Sequence, residues 1–386
     1  MKRYEPIAIL GSFITIVSFL LLLGGCSLEP RPPESFLDTP EHHVFNGFKL
    51  IKRGWLDDAQ REFEIALQFS PKYSPAHRGM GLVYGMKKQF HPAFKFMQHA
   101  KDYAEKKEDK ALAFTGFMRL YTMEKEKGWL EKVEENFDGA KTIKDDLPDA
   151  YYYMGIAYKY GYRFNESDNA FKKVLEINSE YSEEAEQQLR IIQKIKKAMP
   201  ESPFARRLAV VDHITRADVA ALFIHELKLD QIYKKKRDSK KGYGSLPPDV
   251  RNHPLRNDVA RILKMDIQGL RPFPDGNFGP DDYITRAGYA IMISDIIAII
   301  KDDPSLTTRY LGWKSPFKDV RNDAPYFNAI IVCATMGEIM EARHGIFNPM
   351  GKVSGADALL IIRKLKEKFK IFVTTREPGV RIQKPE

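Results

Sequence analysis

Gly47, Phe63 and Ala66 return 34 residues later as Gly81, Met97 and Ala100, and this internal period constrains the chain more than any other feature. Phe137 and Ala140 follow 40 residues further on, and Phe171 and Val174 another 34 beyond those. Gly155 and Tyr158 match Gly81 and Tyr84. A period in this range marks an array of helix pairs, because one pair cannot bury its apolar stripe alone and must stack on the next. Small residues such as Gly47, Gly81, Ala59 and Ala93 belong where two helices approach closely. Phe63, Tyr84, Phe137, Tyr158 and Phe171 are the sizes that fill the space between units. Four units are expected over 40–199. The third, about 111–146, is degenerate, carries the excess length and lacks the expected glycine at its tight crossing. The charged stretch Glu183 to Lys197 reads as a solubilising helix that caps the array.

The order of an aromatic, Leu-Gly, Tyr, Ala, Phe, Ala and Pro at these offsets resembles the tetratricopeptide repeat. The resemblance implies an α-solenoid with a concave groove for a peptide or an unidentified partner protein. The run Tyr151-Tyr152-Tyr153 together with Tyr158 supplies groove candidates, namely Tyr151, Tyr152 and Tyr158. Tyrosines at helical spacing serve equally well as packing between helices. His42, His43, His77, His91 and His99 are scattered without a metal-ligand spacing, so no metal or other cofactor is expected.

Pro200 and Pro203 mark a boundary, and a different repeat begins after it. Ile214-Thr215-Arg216-Ala217-Asp218 recurs as Ile284-Thr285-Arg286-Ala287-Gly288 and as Val353-Ser354-Gly355-Ala356-Asp357. Each copy opens an apolar helix, so Thr215, Thr285 and Ser354 are expected as N-caps, with capping boxes in the first and third copies. Phe273-Pro274-Asp275-Gly276-Asn277-Phe278-Gly279-Pro280 precedes the second copy, and Gly345-Ile346-Phe347-Asn348-Pro349 the third. Further upstream stand Pro248-Asp249-Val250 and Phe317-Lys318-Asp319-Val320. Asp275-Gly276-Asn277 reads as a turn more readily than as a calcium loop.

This combination resembles the S-layer homology domain, over 204–370. The resemblance implies a pseudo-threefold helical bundle whose grooves bind cell-wall polysaccharide attached to peptidoglycan. Thr215, Arg216, Thr285 and Arg286 then become the glycan-binding candidates. An arginine beside a helix N-terminus suits a sugar acid, through its bidentate fork and the adjacent free amides. Gly355 stands where a third arginine belongs, which implies a weakened third groove.

The chain starts with Lys2 and Arg3, then an apolar stretch from Ile7 to Leu23, then Leu23-Gly24-Gly25-Cys26. The pattern resembles a bacterial lipoprotein signal: 1–25 as signal peptide, Cys26 as the lipidated residue, 26–39 as a Pro-rich tether. Ser27 after the cysteine favours an outer membrane facing the periplasm. With Cys26 acylated, Cys333 has no intramolecular partner, and its apolar surroundings make it a small buried hydrophobe. The net charge of +9 suits an anionic wall polymer or lipid headgroups in that compartment better than nucleic acid. Lys234-Lys235-Lys236-Arg237 with Lys240 and Lys241 reads as a solvated loop. Residues 371–386 read as a C-terminal tail.

No phosphate loop, Gly-x-Ser-x-Gly, His-Glu-x-x-His or paired-cysteine spacing occurs, so no catalytic residue is assigned. The expectation is a mostly α protein: a solenoid plus a helical bundle, acting as a membrane-anchored scaffold of the cell envelope and not as an enzyme. The alternative is an envelope or outer-membrane assembly factor in which the second repeat is only structural.

Overall fold

The computed structural model describes residues 38–177, 180–236, 245–336, 338–373 and 380–382. The signal peptide, Cys26, most of the tether, and Arg237, Lys240 and Lys241 lie outside the described residues. The chain divides into two compact units, Met1–Ala150 and Tyr151–Glu386.

The first unit contains three antiparallel helix pairs. They are α1 (Pro40–Arg53) with α2 (Leu56–Phe69), α3 (Ser74–Met86) with α4 (Phe90–Asp102), and α5 (Lys107–Glu124) with α6 (Trp129–Ile143). Phe63 is fully buried, and the reason for the repeated glycines is visible around it. A Cβ on Gly47 would lie 2.6 Å from its ring, and one on Gly79 only 2.3 Å. The first helix of the third pair has no glycine facing its own partner helix, and its Gly116 faces the preceding pair instead. A Cβ on Gly116 would come within 2.3 Å of the Met97 sulfur. The extra residues of this unit are spent in α5, which has 18 residues where α3 has 13. That lengthening moves the later members of the pattern out of step, and Phe137 is only half-buried while Ala140 is sealed.

In α1, His43 lies between two carboxylates. Its Nδ1 is 2.7 Å from Glu62 Oε2 and its Nε2 is 2.9 Å from Asp38 Oδ1. Burial acts to lower its pKa, but the hydrogen bonds and charges of Asp38 and Glu62 outweigh burial and raise it. The protonated ring is the paired form. Its contribution is therefore complete below the ordinary imidazole value and is lost as pH rises through the raised folded value. Thermal unfolding should show the first unit losing stability across that window, and His43→Gln should flatten the dependence. An unchanged slope in the variant would remove His43 as its source.

The fourth pair is α7 (Pro148–Tyr160), most of which belongs to the second unit, with α8 (Phe164–Ile177). Phe171 is fully buried, and a Cβ on Gly155 would lie 2.7 Å from its ring. The next helix, α9 (Ser182–Ala198), is not the solvated cap expected from its charge. It packs on α8 and on α16 (Gly355–Lys368), burying Ala185, Ile192, Ile195 and Ala198. Lys194 pairs with Asp357 at 2.6 Å, and Lys196 with Asp168 at 3.1 Å. One continuous apolar core runs from Phe171 and Val174 through Ile192 to the C-terminal helices. The boundary expected at Pro200 thus falls inside a compact unit. Pro203 only starts another helix, α10 (Pro203–Ala209), capped by Ser202.

Beyond it come α11 (Arg216–His225), α12 (Leu229–Lys236), α13 (Arg256–Leu263), α14 (Arg286–Lys301), α15 (Phe327–Thr335) and α16. The three repeat copies open α11, α14 and α16, and each of these packs with a shorter helix: α13 on α11, α15 on α14, α10 on α16. The residues that precede the caps close a ring. Ile284 N–H donates to Ile214 O, Val353 N–H to Ile284 O, and Ile214 N–H to Val353 O, each at 3.0 Å. All three side chains are buried. The expected pseudo-threefold bundle is thereby present, and Cys333 lies fully buried in it, its thiol pushed far up by burial. The described part of the C-terminal tail is a two-stranded antiparallel pair, β1 (Ile371–Val373) with β2 (Val380–Ile382). No described helix is long and apolar enough to cross a membrane.

Candidate functional site

Thr215, Thr285 and Ser354 are N-caps, as their spacing predicts. Their hydroxyl oxygens accept from the amides of Asp218, Gly288 and Asp357 at 3.2, 3.1 and 3.1 Å. Only the first copy forms the full capping box, with Asp218 accepting from the Thr215 amide. The first amides of the helices are not free. Arg216 N–H donates to Asp282 O and Ala217 N–H to Pro280 O, while Arg286 N–H donates to Gly351 O and Ala287 N–H to Pro349 O. Loop carbonyls of the following repeat thus occupy the positions where an anion was expected to bind.

The arginines are occupied in the same way. Arg216 donates from Nε to Phe278 O at 2.7 Å, from Nη1 to Gly269 O at 2.8 Å and from Nη2 to Arg271 O at 2.9 Å. Its guanidinium lies over the rings of Phe273 and Phe278, and the residue is 8% exposed. Burial lowers its pKa, with Asp282 and Asp249 opposing. Arg286 repeats the arrangement with one bond fewer. Nε donates to Phe347 O and Nη2 to Glu341 O, both at 2.8 Å. The partner of each arginine is a motif aspartate that takes the amides of the same loop. Asp249 accepts from Phe278 and Gly279, and Asp319 from Phe347 and Asn348. Arginine for carbonyls and aspartate for amides makes a clamp that pairs the polar backbone of an irregular loop. Arg216, Thr215 and Thr285 thus spend these bonds within the fold, which is not the open presentation expected of glycan ligands.

The absence of a third arginine follows from the clamp. Each copy grips the loop ahead of the next copy around the ring. Ahead of the first copy the chain arrives from α10 and brings no such loop. Gly355 N–H donates to Val211 O at 2.9 Å instead, and a Cβ there would lie 1.7 Å from Leu208 O.

An open cleft remains on the Arg286 side. It has a volume of about 120 Å³ and is lined by Lys194, Arg286, Arg343 and Lys364 with Glu341 and Asp357. Ile339 and Met340 close part of the wall. Lys364 pairs with Glu341, whose carboxyl is held below its usual range chiefly by that hydrogen bond. Lys194 pairs with Asp357. Arg343 is exposed and makes no carboxylate pair among the described residues. Four cations against two carboxylates leave the recess cationic. Arg343, Lys364 and Lys194 carry no motif signal. Lys194 comes from a helix ahead of the second repeat, so no reading of that repeat alone could have included it.

The tyrosines expected to line a groove are half-buried packing groups. Tyr152 stacks on Tyr181 at 5.0 Å and meets Phe171 edge-on at 5.8 Å, and Tyr151 packs against the same core. The Arg163 guanidinium covers Tyr158 at 4.5 Å. Asp275 spends its carboxylate on the amide and side chain of Asn277, the geometry of a turn.

Residues 270–290 and 316–359 match the family model of the S-layer homology domain. These are the second and third copies with their clamped loops. No curated protein matches the chain. A solved structure described as the functional characterization of Pseudomonas aeruginosa pilF is similar at 13% identity, with a TM-score of 0.33, over 50% of this chain and 84% of that one. With so slight a similarity, no property of that protein passes to this chain. The matched residues thus lie in the second repeat, which follows an array of paired helices.

Proposed function

We propose that the chain is a lipid-anchored scaffold of the cell envelope, held by Cys26, that grips an anionic cell-wall polymer through the Arg286 cleft and offers its helix pairs to a partner protein. The S-layer homology match supports the wall polymer, since that family binds such polymers. The observation that carries the site is the surplus of cations around one recess within the matched region. Guanidinium and ammonium groups at the mouth meet carboxylates with charge-assisted bonds, while the apolar wall excludes water from them. The Leu23-Gly24-Gly25-Cys26 sequence supports the anchor, and its Ser27 the outer membrane. No step of chemistry is assigned to the protein.

The test is cosedimentation of the purified chain with cell-wall sacculi. Arg343→Glu with Lys364→Glu should weaken binding by about tenfold or more, the loss of ~1.4 kcal/mol or greater, with the melting temperature little changed. Retention of wild-type binding by this pair would refute the cleft, and failure of the wild type to sediment would refute polymer binding altogether.

A further inference from the structure

The hydrogen-bonded ring of Ile214, Ile284 and Val353 also places the residues just before them. These are His213, Tyr283 and Lys352, the same position in the three copies. Backbone pairing of Thr215 with Tyr283 and of Thr285 with Lys352 shows that this stretch is extended. Neighbours in extended chain point to opposite faces. Since the ring residues point into the core, His213, Tyr283 and Lys352 point out together at one end of the threefold axis. All three are exposed, and Tyr283 is 55% so. They touch: Lys352 Nζ lies 4.3 Å from the Tyr283 ring centroid, and the His213 ring meets Tyr283 edge-on at 5.8 Å and 72°. Neither His213 nor Lys352 pairs with a carboxylate among the described residues. Three equivalent positions thus hold three different chemistries, an aromatic plate, an ammonium and an imidazole.

We propose that this apex is a second saccharide subsite that takes one anionic sugar residue, with the sugar's C–H face against the open part of Tyr283 and its carboxylate toward Lys352 and His213. The proposal rests on the polymer-binding reading above. A sugar acid is the occupant that uses both features, since a pyranose presents an apolar face and the carboxylate answers the cations. A repeating polymer supplies such a residue many times. Two subsites on one rigid body convert the second contact into an intramolecular event and raise avidity without new contacts elsewhere.

D-glucuronate serves as the soluble probe, with D-glucose as the neutral control, followed by saturation-transfer NMR on the full chain. The Arg343→Glu, Lys364→Glu protein is the background, so that the cleft does not contribute. Transfer to glucuronate should persist in that background, exceed transfer to glucose at least about twofold, and disappear when Tyr283→Ala or Lys352→Gln is added. On sacculi, Tyr283→Ala in the otherwise native chain should cost about tenfold in affinity. Equal transfer with and without Tyr283 would overturn the apex while leaving the cleft intact. Wild-type protein that ignores sacculi but shows Tyr283-dependent transfer would overturn the polymer reading and leave the apex standing.

Discussion

Arg216→Ala should destabilise the second unit by about 3–5 kcal/mol, the cost of stranding buried groups whose charged partner has been removed. Three carbonyls, those of Phe278, Gly269 and Arg271, lose their donors at once. Two rings lose the cation they enclose. Arg216→Lys should recover only part of the loss, because an ammonium on a flexible stem cannot reach three diverging acceptors held for a planar fork. Arg286→Ala should cost less, about 1–3 kcal/mol, since it makes two such bonds and is less buried. Urea unfolding of the three variants gives the order directly. Equal losses at the two arginines would contradict the clamp. Any drop in sacculus binding by Arg216→Ala then follows from unfolding and is no evidence of contact with sugar.

Gly355→Ala should cost about 3 kcal/mol or more, at the upper end of what forcing an extra carbon into a packed site does. The atoms it would meet are backbone, Leu208 O at 1.7 Å and Leu208 C at 2.5 Å, so no rotamer relieves the contact. Displacing them breaks the bond from Gly355 N–H to Val211 O. Gly355→Arg, which restores the repeated tetrapeptide on paper, should be worse than Gly355→Ala, because no loop stands there to receive the guanidinium. Differential scanning calorimetry on both variants distinguishes the outcomes. A Gly355→Arg protein as stable as the parent would show that α10 yields readily and that the asymmetry has another cause.

The caps and the periods were legible because they are local. A hydroxyl accepts an amide three residues on, and a glycine admits a ring from the very next helix. Thr215, Thr285, Ser354, Gly47 and Gly155 were all placed by spacing alone. The role of Arg216 was not, since its acceptors lie 53 to 62 residues away and are backbone oxygens, which every residue possesses. The motif marked the right side chain and left its task open. Gly116 lies against Met97 of the preceding pair and is no counterpart of Gly47, Gly81 and Gly155, which face their own partner helices. Proline at 200 and 203 reports a local turn and a helix start, which is a separate matter from a domain limit. The apolar stripe Ala185, Ile192, Ile195 on α9 was the contrary signal, and it outweighs the charge on the other face of that helix.

A stack of paired helices has two ends and tolerates the gain or loss of a member. A circuit in which each copy both gives and receives one amide bond has none. Excising any one of the three copies would leave a donor and an acceptor facing nothing at the centre of the fold. Among chains built to this plan, length should vary in the segment before residue 150, while the number of copies around the axis stays fixed.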